Sequence, residues 1–94
     1  MRQRIEYDAA KDARNVAIRG LSFAEVRDFQ LSTAVVTVDE RRQYGETRYR
    51  ALGFLGNRLH MLIFTRVDGV LRVISFRKAN QREVTHHEQA TTPA

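Results

Sequence analysis

The chain of 94 residues has no cysteine. Disulfides and thiolate metal sites are therefore excluded, and nothing argues for an oxidising compartment. No apolar run approaches the ~18 residues needed to cross a bilayer. The opening stretch "MRQRIEYDAAKD" also lacks the apolar centre of a signal peptide. Repeats, linkers and low-complexity segments are missing, as are a Walker loop, a Ser-His-Asp set and a Cys/His cluster. No metal and no cofactor is expected on these grounds. Lysine is scarce too, being confined to Lys11 and Lys78. These absences leave a single domain over 1–94, soluble and cytoplasmic, with an ordered part over about 4–88 and a tail from 89 that should fray.

What is present is arginine. It supplies fourteen of the sixteen cations, and the formal net charge is +5. Residues 1–40 hold six cations and seven anions, whereas residues 41–94 hold ten and four. Arginine-favouring codon usage would explain the arginine-to-lysine ratio but not this asymmetry. Cationic excess confined to one half is the footprint of a polyanion binder, and the planar guanidinium fork suits phosphate. With 43% hydrophobic residues, a chain of this size can still bury a modest core.

The periodicity predicts the elements. "RIEY" reads as a short strand, and Asp8 can cap the helix "AAKDARNVAIR", which stops at Gly20 with Arg19 in its last turn. In "LSFAEVRDF", Ser22 and Glu25 form a capping box, and Leu21 and Val26 occupy the positions of a hydrophobic staple, so a second helix is expected. From Thr33 the period becomes two. "TAVVTV", "TRYRALGFL", "RLHMLIFTR" and "VLRVISFR" are strands, with hairpin turns at Gly56-Asn57 and Asp68-Gly69. "KANQREVTHHEQ" follows as a polar helix. The expected class is α+β: an antiparallel sheet with two N-terminal helices packed on one face, and a C-terminal helix.

Counting back from Asp68-Gly69 pairs His60 with Arg77. One face then carries Leu52, Phe54, Leu59, Met61, Ile63, Ile74 and Phe76 and should be the core under the helices. The other carries Tyr49, Gly53, His60, Leu62, Phe64, Ser75 and Arg77, a mixed surface suited to RNA. One β-bulge would exchange these assignments.

Several stretches are similar to the BrnT family of bacterial ribonuclease toxins. They are Asp8–Lys11 with Asn15 and Gly20, Ser22-Phe23, "YGETRYRALG" at Tyr44–Gly53 and "RVISFRKANQREV" at Arg72–Val84. The resemblance implies a RelE-like fold and a metal-independent endoribonuclease that cuts RNA and inhibits translation. It also implies a BrnA-like ribbon-helix-helix antitoxin in a hetero-oligomer, with operator DNA reached only through that partner and no membrane. The chain departs from the family at Ile18-Arg19-Gly20, where relatives carry Lys-His-Gly, and at His87, where they carry Tyr. If that family histidine moves a proton, this chain must use another group.

Metal-free RNA cleavage needs cations on the phosphate, a base for the 2′-hydroxyl and an acid for the leaving oxygen. Arg77, at a strand end and inside the most specific motif, is the foremost catalytic candidate; the alternative is a salt bridge. Arg72 is the second, or else a strand-edge residue kept for solubility. Glu46 is a candidate base, or only the partner that orients Arg48. His60 is a candidate base or a packed histidine. Arg19 cannot be a base but can hold phosphate. Lys78, Arg50 and Lys11 add further cations, and Tyr49 can stack on a base or pack at the core rim. His86 and His87 read as surface residues. A second class of function is a catalytically weak homologue acting as corepressor or RNA-binding module, and a third is a basic fold that binds RNA with no antitoxin.

Overall fold

The computed structural model describes residues 3–41 and 43–93. Its sheet is built around two tight turns. Asp68 and Gly69 both take positive φ, 51° and 77°, as a type I′ turn requires. They join β4 (Arg58–Val67) to β5 (Val70–Lys78). Gly56 alone has positive φ in the other turn, which joins β3 (Tyr49–Leu55) to β4. Strands β1 (Ile5–Glu6) and β2 (Val35–Val38) complete a sheet of order β1-β5-β4-β3-β2. The sheet is mixed, not wholly antiparallel: β1 runs parallel to β5, with Ile5 beside Leu71. No hairpin constrains that pair, because about two thirds of the chain separates the two strands.

A bulge sets the register of β5. Ile63 pairs with Ser75 but Phe64 with Val73, so Ile74 is an extra residue. Beyond it His60 lies opposite Lys78, and Arg77 opposite Met61. The expected His60–Arg77 pairing is therefore corrected, and Arg77 moves to the face of Leu52 and Met61.

The helices also cover the faces in the opposite sense to expectation. Ala51, Leu62, Phe64, Leu71, Val73 and Phe76 pack under Phe23, Val26 and Phe29 of the N-terminal region. Apart from Phe76, which the bulge brings across from the expected core face, that is the face the alternation had left for RNA. The expected core face, with Leu52, Leu59, Met61 and Ile63, packs with Ala79 and Val84 beneath α2 (Gln81–Thr91). Alternation separates two faces but does not say which helix covers which; here both are covered.

The predicted second helix is a 3-10 helix, Phe23–Asp28, with the Ser22–Glu25 capping box intact. A further 3-10 turn, Leu31–Thr33, leads into β2. The close approach of this segment requires Gly53, since a Cβ there would lie 2.8 Å from the Phe29 ring. Helix α1 (Ala9–Arg19) buries only Asn15 and does not pack broadly on a sheet face. The Asn15 Nδ2 donates to Leu21 O at 2.8 Å and to Phe76 O at 3.0 Å, tethering α1 to β5. Helix α2 starts at an Asn80 cap and runs to Thr91, two residues past its expected end.

Candidate nucleic-acid interface

The end of β5 and the start of α2 make one unit. Asn80 caps α2, its side chain accepting from the Glu83 N–H while Glu83 Oε1 accepts from the Asn80 N–H at 2.9 Å. This reciprocal box fixes Glu83 in the first turn, over the α2 face of the sheet. There Arg77 donates to both carboxylate oxygens, Nη1 to Oε1 at 2.7 Å and Nη2 to Oε2 at 2.8 Å. Arg50 Nη2 stands 3.7 Å from Oε2. One carboxylate thus serves two guanidinium groups and leaves a positive excess. The Arg77 hydrogen bonds hold the Glu83 carboxyl below its ordinary pKa against the opposing effect of burial. Glu83 in return raises Arg77.

The end of α1 meets this unit. Gly20 takes the left-handed conformation, φ 65°, and donates its N–H to Val16 O, which stops the helix with Arg19 in the last turn. Because Asn15 ties the same helix to Phe76, that last turn comes to rest beside the end of β5. Arg19, Gly20, Leu21, Arg77 and Lys78 line a cleft of about 400 Å³. Three of the predicted cations therefore share one concavity, and Arg19 and Lys78 are exposed.

The β2–β3 loop forms a second charged cluster. Asp39, its side chain 0% exposed, accepts from Arg41 Nε and Nη2, both at 2.8 Å, and from the Tyr44 hydroxyl at 3.1 Å. The Arg41 bonds hold the Asp39 carboxyl well below the usual carboxylate range. Glu46 and Arg48 pair at 3.2 Å, with the Arg48 guanidinium 4.1 Å above the Tyr44 ring. They border a separate hollow with Asp39 and Tyr44, not the Arg77 cleft.

Other predicted residues lie elsewhere. His60 is 3% exposed, stacked on Phe76 at 5.3 Å, with Nδ1 donating to Arg58 O at 2.9 Å. Tyr49 stacks on Phe64 within the same packed layer. Arg72 is exposed next to Glu6 of β1. It pairs with Thr65 while Arg77 pairs with Met61, so about 13 Å of strand separates the two along one face. Lys11 joins Arg14 and Arg19 along α1, beside Ile74 and Ser75. His87, expected at the surface, is buried edge-on against Phe54.

Glu83 organises the site, yet it is not among the residues singled out from the sequence. The Asn80-to-Glu83 spacing is the capping-box signal that could have exposed it. The Asp39–Arg41 pair carries no such signal within its run of polar residues.

A small basic α+β domain with three cations gathered at a strand end has the electrostatic footprint of a polyanion binder. Residues 7–83 match the model of a family described as the ribonuclease toxin BrnT of type II toxin–antitoxin systems, and the chain belongs to that family. In class it is a toxin–antitoxin ribonuclease, with RNA as target and an antitoxin as partner. A search of curated proteins returns no match. Among the described residues, no helix is long and apolar enough to cross a membrane.

Proposed function

We propose that the chain is an endoribonuclease that cuts messenger RNA without a metal ion and so stops translation. The observation that carries this reading is the shared cleft of Arg19, Arg77 and Lys78. In the reaction the 2′-oxygen bonds to the adjacent phosphorus as its proton leaves, and the bond to the 5′-oxygen breaks as that oxygen takes a proton. The products are a 2′,3′-cyclic phosphate and a 5′-hydroxyl. Arg77, held by Glu83, is a fixed cation for the charge that develops on the phosphate oxygens. Arg19 and Lys78 grip the same or the neighbouring phosphate. Loss of one oriented donor of this kind costs about 3–4 kcal/mol of transition-state stabilisation.

The burial of His60 argues against it as the base, so phosphate stabilisation is the main catalytic term in this reading. The cations Arg50, Arg72 and Arg77, which share one sheet face, support a RelE-like ribonuclease architecture. The antitoxin is a BrnA-like protein with a ribbon-helix-helix part; it covers the basic cleft and carries the complex to operator DNA as a hetero-oligomer. The protein acts in the cytoplasm.

A second reading, a catalytically weak corepressor, draws on one specific observation. Both Arg77 donor nitrogens that face Glu83 are engaged, and no imidazole lines the cleft among the described residues.

Incubating purified protein with RNA decides between the two. The wild type should yield fragments with cyclic phosphate ends. Arg19→Ala and Lys78→Ala should cut at least about tenfold more slowly while keeping stability within about 0.5 kcal/mol, as exposed substitutions do. Intact RNA after incubation with folded wild type would reject the nuclease and favour the corepressor.

A further inference from the structure

The Arg77–Glu83 pair is also a partition. On its other side lies a pocket of about 280 Å³ between α2 and the β2–β3–β4 surface. Val35, Leu52 and Met61 give it an apolar floor, and Arg50, Arg82 and His86 give it a polar rim. Arg82 and His86 stand one turn apart on α2, both exposed, while Arg50 rises from β3 across from Thr37 of β2. Arg50 is incompletely engaged. Its only ionic partner among the described residues is Glu83 at 3.7 Å, and its buried Nε–H meets no acceptor there. A buried donor of that kind is satisfied when the Arg50 side chain turns toward an acceptor in the pocket.

The chemistry of the lining narrows the ligand. A bare phosphate gains nothing from an apolar floor, and a wholly apolar ligand gains nothing from two guanidinium groups. A nucleotide has both parts, a flat base for Val35, Leu52 and Met61 and a phosphate for the rim. The adjacent N–H groups of a guanidinium match a pair of acceptors on one edge, and guanine presents such a pair in O6 and N7. We propose that this pocket is a guanine-selective nucleotide subsite on the RNA strand whose scissile phosphate occupies the neighbouring cleft. The proposal rests on the ribonuclease reading above and adds a base preference to it.

The test uses a single-stranded RNA pool of random sequence, with all cut ends mapped. Wild-type cuts should show guanine enriched at one position beside the cut. Arg50→Lys, which removes the fork, should lower that enrichment about tenfold, the size of one bidentate base contact. Thr37→Phe, at an exposed position that lines the pocket, should lower it likewise while RNA is still cut. Cutting without guanine enrichment, or enrichment that both variants leave intact, overturns the subsite and spares the nuclease. Binding is read independently of cleavage by titrating guanosine 3′-monophosphate and following the methyl resonances of Val35, Leu52 and Met61. These should shift more than with uridine 3′-monophosphate, and the response should vanish in Thr37→Phe. Equal shifts with both nucleotides, or none, overturn the subsite even if RNA is never cut.

Discussion

Replacing Glu83 by Gln should make the protein less stable and a tighter, more salt-sensitive RNA binder. The side chains of Glu83 and Arg77 are 11% and 28% exposed, so the pair lies between a surface ion pair and a buried one. Exposed pairs are worth about 0–1 kcal/mol, and breaking a buried one costs about 3–5 kcal/mol. A loss of about 2 kcal/mol is therefore expected, read as a shift in the urea midpoint. The glutamine isostere preserves the size of the side chain and one carbonyl acceptor for the Asn80 N–H. The sign of the pH dependence follows from the lowered folded pKa of Glu83. Its stabilisation is full above the ordinary value of about 4.3 and disappears as pH falls through the lower folded value. The stability gap between wild type and variant should accordingly close in acid. On RNA, freeing Arg50 and Arg77 from their shared counter-charge allows one more phosphate to be neutralised. The slope of log K against log salt should steepen by about 0.7, the single-strand increment. A variant as stable as wild type, or one with a flatter slope, would refute the claim that Glu83 restrains these cations.

Three further outcomes follow from the packing. Gly53→Ala places a methyl 2.8 Å from the Phe29 ring and 2.9 Å from Ala34 Cβ, and should lose about 1–3 kcal/mol by denaturant titration. Asn15→Ala removes both hydrogen bonds that tie α1 to Leu21 and Phe76. It should cost about 2 kcal/mol, and hydrogen exchange should show α1 opening before the sheet. Asp39→Asn weakens the Arg41 clasp. Since the Asp39 pKa is lowered in the folded state, its stabilisation holds above about pH 4 and is lost as pH falls further, so wild type and variant should converge in stability in strong acid.

The local elements were legible because their signals are local. Asp8, Ser22 and Gly20 announce caps and a helix stop, and Asp68-Gly69 announces a turn, each through a side chain or φ value that acts within a few residues. Arg19, Arg77 and Lys78 were also legible as candidates, because strand and helix ends can be found from periodicity. Their meeting in one cleft was not. It depends on Asn15 reaching across 61 residues of sequence to the Phe76 carbonyl, a contact with no periodic trace. The pairing of His60 failed for a related reason: the bulge at Ile74 lies in the stretch "VLRVISFRK", which has no glycine to mark it. The 3-10 form of Phe23–Asp28 was hidden as well, since a capping box reports a helix start and not its pitch.

Ile74 has a consequence for how this molecule can vary. Chain length on the Lys78 side of β5 has a parity, odd residues pointing one way and even residues the other, and a single additional position inverts it. Removing Ile74 would leave a regular ladder with Phe76 still opposite Leu62 and Arg77 still opposite Met61, whereas flattening the bulge with Ile74 kept would set Arg77 opposite His60 and carry Phe76 to the Met61 face. The bulge therefore absorbs a one-codon deletion at its own position, which a regular strand cannot do.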